Sequence, residues 1–194
     1  MKKSKEFYLR HDSAAIIPFT TDYGELHSIV INNGQQVEVS LSPKEIIDQN
    51  LRRIGTSLRG ARDGAKEVLG SASMHPVVLS IEKGMYWFPS ESYNNDSCAW
   101  FALQYFQDCE AIDEDEAGVI LTNGYRVKVK VSKGSFDKRV QNTRVYKCII
   151  EERSHQILSD YIDKRTNISI IKDGPRVEYR IEDEDDNNEN EDET

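Results

Sequence analysis

Residues 31–70 read INNGQQVEVSLSPKEIIDQNLRRIGTSLRGARDGAKEVLG, and within this stretch the pattern changes from strand to helix. Asn33-Gly34 stands between two runs, the strongest short-range hairpin signal. A helix start follows: Ser42 can cap, Pro43 suits the first helical position, and Glu45 completes a Ser-x-x-Glu capping box. Ile47, Leu51 and Ile54 recur at helical spacing, and Gly55 reads as a helix-ending residue in the left-handed conformation. The stretch from Gly55 to Gly60 also spells Gly-x-x-x-x-Gly, the opening of a nucleotide-phosphate loop. That loop needs Lys and then Ser or Thr directly after the second glycine, where this chain has Ala61 and Arg62, so the nucleotide reading is rejected.

Working outward, "AAIIPF" and "LHSIVI" read as short strands separated by the turn-rich "TTDYGE". After the helices, "PVVLS", "IEKG" and "MYWF" suggest a hairpin closed by Pro89. The polar loop "SESYNNDS" leads to "CAWFALQYF", too apolar for an outer strand and so expected at the centre of a sheet. "GVILTNGYRVKVKV" is a hairpin by the Asn-Gly signal, with Tyr125, Val127, Val129 and Val131 on one face. Ser135 is a candidate cap for a further helix, although "VYKCII" within it fits a strand equally well. "ISII", "KDGP" and "RVEYRI" suggest a last hairpin. With no repeat and no linker, the expected architecture is α+β: a single domain over 1–181, mainly antiparallel sheet with two to three helices, then a disordered acidic tail over 182–194.

The 194 residues carry a net charge of -9, a hydrophobic fraction of 38% and a mean hydropathy of -0.64. No apolar run approaches the roughly 18 residues needed to span a bilayer, and the basic "MKKSKEFYLR" has no apolar signal core after it, so a cytoplasmic protein without membrane contact is expected. Cys98, Cys109 and Cys148 form an odd set without Cys-x-x-Cys and are expected to be buried free thiols.

The charge is unevenly placed. Residues 182–194 hold nine acidic residues and no basic one, which leaves the body with as many acids as cations. Within the body, residues 51–66 carry Arg52, Arg53, Arg59, Arg62 and Lys66 against Asp63 alone. Residues 126–147 carry Arg126, Lys128, Lys130, Lys133, Lys138, Arg139, Arg144 and Lys147 against Asp137 alone. Such local surpluses are what a polyanion feels.

Placed on a helix, residues 57–70 put Leu58, Ala61, Ala65, Val68 and Leu69 on one stripe, with Arg59, Arg62 and Lys66 beside it. Gly60 and Gly64 would each cost about 1 kcal/mol there relative to alanine. Close approach of another backbone, from protein or phosphate, would explain them; so would a segment that is partly loop. The alternation of Arg126, Lys128 and Lys130 with valine fits phosphate contact, and it also fits an edge strand defended against aggregation.

Enzyme signatures are missing. There is no Gly-x-Ser-x-Gly and no His-Glu-x-x-His; His11, His27, His75 and His155 are scattered singles, and the Glu-x-Lys or Asp-x-Lys triplet of metal-dependent nucleases does not occur. "DCEAIDEDEAG" lacks calcium-loop spacing and reads as a solvated turn. Nothing calls for a catalytic residue, a metal or a cofactor. A helix-turn-helix over 43–70 is a weaker reading, because Ser57, Leu58 and Gly60 stand where base-reading side chains belong.

Between about Val37 and Glu152 the sequence resembles the ComK family of competence transcription factors of Gram-positive bacteria, through "GTSLRGARDGAKEVLG", "FPS" followed by "CAW", and "LTNGYRVKVKVSKGSF". The resemblance implies an activator of DNA-uptake genes that binds AT-rich double-stranded boxes chiefly through the minor groove and acts as a multimer. RNA polymerase and a proteolytic adaptor are the further partners it suggests. An arginine- and glycine-rich element suits a narrow, electronegative A-tract groove. Two departures stand out: Leu58 occupies a position where an aromatic residue is expected after Gly-Ser-Ser, and the C-terminus ends in acid without an evident adaptor signal. The expected contact residues are the cations of 51–66 together with those of 126–144. The alternative is a non-catalytic protein-interaction module whose basic faces bind an acidic partner. The acidic tail reads either as a solubilising extension or as a competitor for those faces.

Overall fold

The computed structural model describes the backbone of residues 6–70, 74–163, 169–173 and 178–182, and side chains up to residue 156. The chain falls into two compact units, residues 1–151 and 152–194. In the first unit, β1 (Ser13–Thr20), β2 (Leu26–Asn32) and β3 (Gln35–Val39) form a meander. The helices α1 (Pro43–Arg53) and α2 (Leu58–Leu69) follow. The chain then returns through β4 (Val77–Ser80), β5 (Met85–Pro89) and β6 (Trp100–Ala102) to complete a six-stranded antiparallel sheet in the order β3-β2-β1-β6-β5-β4. A three-stranded antiparallel sheet, β7 (Phe106–Ala111), β8 (Ala117–Leu121) and β9 (Arg126–Val129), leads into α3 (Lys133–Asp163). The architecture is α+β and mainly antiparallel, with three α-helices among the described residues.

The six-stranded sheet is covered on both faces, which is why its central strands read as continuous apolar runs: every residue of β5 and β6 is buried. One face packs Ile16, Val30, Trp87 and Trp100 against Ile46, Ile47 and Leu51 of α1 and Leu58 of α2. The other packs Ile31, Phe88 and Phe101 against Val119, Leu121 and Val127 of the smaller sheet and Phe136 and Val140 of α3. Phe136 meets Phe88, Phe101 and Phe106 with ring centroids 5.4–6.0 Å apart. A third cluster joins Ala65 of α2 to Tyr86 of β5 and Tyr146 of α3.

Local signals around α1 are realised in full. Ser42 Oγ accepts from Glu45 N, while Glu45 Oε2 accepts from Ser42 N at 2.8 Å. Gly55 has φ +85°, and Thr56 N donates to Leu51 O at 3.1 Å, closing α1 in a Schellman arrangement. The two Asn-Gly pairs make different turns. Asn33 and Gly34 both have positive φ, as a two-residue type I′ turn requires, whereas only Gly124 does so in the longer Thr122–Gly124 turn, with Leu121 N donating to Tyr125 O.

Several expectations need correction. Ser132, not Ser135, caps α3: its carbonyl accepts from Phe136 N at 3.0 Å and its hydroxyl from Ser135 N. "VYKCII" is helical, because Tyr146 and Ile150 lie one turn apart on the face that meets Ala65. "CAWFALQYF" is not one strand. β6 lies at the sheet's centre as expected, but a 3-10 turn at Leu103–Tyr105 separates it from β7, a strand the sequence reading did not find. Only the middle of "DCEAIDEDEAG" is the turn, with Asp115 N bonded to Asp113 Oδ1 at 2.9 Å. Cys148 is exposed, whereas Cys98 and Cys109 are buried.

In the second unit β10 (Ser169–Asp173) pairs antiparallel with β11 (Glu178–Glu182), from Ser169 opposite Glu182 to Asp173 opposite Glu178. This is the expected last hairpin. The acidic tail beyond Glu182, and with it either reading of its role, lies outside the described residues.

Two measurements test this packing. Asn50, buried in α1, accepts from Leu9 N at 3.0 Å and donates to Phe7 O and Ile46 O at 2.8 Å, pinning the N-terminal segment. Asn50→Ala leaves these buried groups unpaired and should lower unfolding stability by about 1–3 kcal/mol in urea titrations. Burial pushes the Cys98 and Cys109 thiols up to about 11. A thiol reagent at neutral pH should therefore modify Cys148 promptly, and the other two only after unfolding.

Candidate nucleic-acid interface

α2 is helical through both glycines, so the partly looped alternative falls. Leu58 and Ala65 are buried on the expected stripe, with Ala61, Val68 and Leu69 packed beside them. Gly60 and Gly64 lie on the exposed side. A Cβ at Gly64 would meet nothing within 4 Å, and one at Gly60 would meet only Thr56 Oγ1, 3.0 Å away, and Ser57 Oγ. Packing among the described residues therefore gives no reason for glycine at position 64.

The junction of α1 and α2 is held by Asp48. Its Oδ1 accepts from Leu58 N at 2.8 Å, fixing the start of α2, and its Oδ2 meets Arg52 Nε at 2.6 Å. Partial burial works against the charged form, but the Leu58 and Arg52 hydrogen bonds outweigh it and hold the carboxyl below its ordinary value. Arg52 is thus partnered. Arg53 lies elsewhere: its guanidinium stacks 3.7 Å over Tyr8 and borders a different cavity, beside Leu9 and Leu79.

Three of the five cations of 51–66 remain on α2. Arg59 is 91% exposed and only loosely paired with Asp63, at 3.9 Å. Arg62 lies 4.2 Å over the Tyr93 ring, and Lys66 is exposed one turn further along. Lys44 joins them from α1, its Nζ 5.5 Å from the same ring and 3.2 Å from Asn94 Oδ1. A cleft of about 370 Å³ runs between Lys44, Asp48, Leu58, Arg59, Arg62 and Tyr93.

The cations of 126–144 divide. Arg126 pairs with Glu110 and Lys128 with Glu116, across the outer face of the small sheet. Lys133 pairs with Asp137 within α3. These hydrogen bonds raise the pKa of Lys128 and of Lys133. Lys138 and Arg144 are exposed, the latter 5.9 Å from the Phe106 ring. Arg139 is half-buried, with Nε and Nη1 lacking hydrogen-bond partners; burial lowers its pKa against the opposing pull of Cys98 and Glu91. Lys130 is exposed and, among the described residues, no carboxylate pairs with it or with Lys66. With Lys128 it borders a groove of about 540 Å³ shared with Pro18, Phe19, Asp96 and Ser97.

The β5–β6 loop, Ser90–Ser97, borders both groups of cations. Tyr93 faces Lys44 and Arg62, Glu91 faces Arg139, and Asp96 and Ser97 border the groove of Lys128 and Lys130. Its form is set by Glu91, which accepts from Asn95 Nδ2 at 2.6 Å and Ser97 Oγ at 2.7 Å. Lys44 and Tyr93 escaped the sequence reading. Lys44 is cancelled locally by Glu45 and Asp48, and Tyr93 was passed over inside a polar loop, where a lone aromatic is itself a recognition cue.

The family model described as ComK protein matches residues 4–155. The competence transcription factor of Bacillus subtilis (strain 168) is 24% identical to this chain over 139 residues, 72% of each protein. No solved structure matches.

The Asp48 linkage carries a pH signature. A carboxyl whose folded pKa lies below its ordinary 3.8 stabilises the fold above that value, and the contribution is lost as pH falls through the depressed folded value. Asp48→Asn should be less stable than the parent near neutrality, with the gap closing in strong acid. A gap constant with pH in urea titrations would refute this.

Proposed function

The chain belongs to the ComK protein family, and we propose that it is a non-enzymatic transcriptional activator of competence genes that binds AT-rich double-stranded DNA largely through the minor groove. The carrying observation is the α1–α2 surface, where Lys44, Arg59, Arg62 and Lys66 project beside exposed glycines. Phosphate neutralisation by these cations supplies affinity that does not depend on sequence. Specificity comes from groove width, since a narrow A-tract groove concentrates negative potential and attracts arginine. The smooth surface at Gly64 leaves room for a phosphate backbone to approach the helix.

Residues 126–144 supply a lesser surface in this reading. Lys130, Lys138 and Arg144 keep their charge available, whereas Arg126, Lys128 and Lys133 exchange a carboxylate for a phosphate only at a cost. The protein acts as a multimer in the cytoplasm, where RNA polymerase and a proteolytic adaptor are its expected partners. That carboxylate pairing lowers the positive field of β9 for DNA and for the acidic protein partner of the second reading alike.

If about five phosphates are neutralised per protomer, log affinity should fall against log salt with a slope near -4.5. Arg59→Ala combined with Arg62→Ala should abolish the retardation of an AT-rich duplex in gel-shift assays and leave thermal unfolding unchanged. Affinity independent of salt, or full binding by the double variant, would overturn the DNA-binding site; a protein-only module should retard neither AT-rich nor random duplex.

A further inference from the structure

We propose that Tyr93 is a positioning residue of the DNA interface, its ring holding Arg62 and Lys44 in place without neutralising either. The inference rests on the DNA-binding reading above.

Two devices order cations in this protein. Arg52, Arg126, Lys128 and Lys133 are each fixed by a carboxylate, which orders the side chain but cancels its charge. Among the described residues no carboxylate pairs directly with Arg62 or Lys44, although Lys44 feels the charge of nearby Asp48. The Arg62 guanidinium lies 4.2 Å over the ring and the Lys44 ammonium 5.5 Å from its centroid. An aromatic face attracts a cation through its quadrupole and leaves the net charge intact for a phosphate. Arginine's planar guanidinium suits such stacking.

The ring is itself anchored. Tyr93 is half-buried and packs against the core cluster that contains Ile46, Ile47 and Leu51 of α1. The loop that carries it is braced by Glu91 through Asn95 and Ser97, and Asn94 takes a hydrogen bond from Lys44. Among the described residues Arg62 Nε is buried with no hydrogen-bond partner, and the Tyr93 ring is the surface on which its guanidinium stacks. Two long side chains, from α1 and from α2, thus meet one fixed surface and forgo little further rotamer freedom when a phosphate arrives.

Three variants test this by binding to a fixed AT-rich duplex at one salt concentration. Tyr93→Phe keeps the ring and should bind as the parent does. Tyr93→Leu keeps the apolar packing but has no π face, and should bind about tenfold more weakly with thermal unfolding little changed. In an Arg62→Ala background, Tyr93→Leu should cost clearly less than it does alone, because one of the two side chains it positions is gone. NMR in the absence of DNA gives an independent readout: the Arg62 side-chain protons should carry a ring-current shift in the parent and in Tyr93→Phe that is lost in Tyr93→Leu. Parental affinity in Tyr93→Leu, or an equal loss in both backgrounds, would overturn the positioning role while leaving the DNA-binding reading standing. A parent protein that retards no duplex would instead bring down that reading and the inference with it.

Discussion

The structure depends on one short strand pairing. β6 contributes three residues, and it lies between β1, through Ala15 with Phe101 and Ile16 with Trp100, and β5, through Phe88 with Phe101 and Pro89 with Trp100. Without it the N-terminal meander and the β4–β5 hairpin would be separate ribbons, each too small to bury two apolar faces. The pairing joins residues some 85 positions apart, so loop-closure entropy opposes it; the burial of Trp87, Phe88, Trp100 and Phe101 on both sides of the joined sheet offsets that cost.

The same pairing places the polar loop between β5 and β6. Once β5 and β6 are adjacent and antiparallel, the chain between them must turn at one end of the sheet. There it meets α1 and α2 through Tyr93, and α3 and β9 through Glu91, Asp96 and Ser97. A connection that is unremarkable as sequence is thus bordered by cations of α1 and α2 through Tyr93 and of α3 and β9 through Glu91, Asp96 and Ser97.

Charge counting along the chain overstates one cluster and understates another. In β9 the cations alternate with valine and face outward, so carboxylates from neighbouring chain reach them: Arg126 extends past Gly118 of β8 to Glu110 of β7, and Lys128 meets Glu116 just before β8. Acids distant in sequence are neighbours in a sheet. On α2, Arg59 is paired only with Asp63 of the same helix and Lys66 with no carboxylate among the described residues, and the α1 lysine hidden by its acidic neighbours joins them. Arg139 and Arg53 show the other limit of counting, because a cation half-buried, or stacked in a separate cavity, adds to a local surplus without adding to one surface.

The amino-acid sequence by itself determined what adjacent residues decide among themselves: the capping box at Ser42, the left-handed Gly55, the Asn33-Gly34 hairpin and the apolar stripe of α2. Each is governed by backbone conformation or by a periodicity within a few residues. Tertiary structure alone decided which cations keep an unneutralised charge, that Tyr93 stands between Lys44 and Arg62, that Cys148 is exposed, and that β7 is a strand despite its polar residues. These depend on which distant groups become neighbours, and no local pattern records a Coulomb or packing partner that lies in another strand or helix.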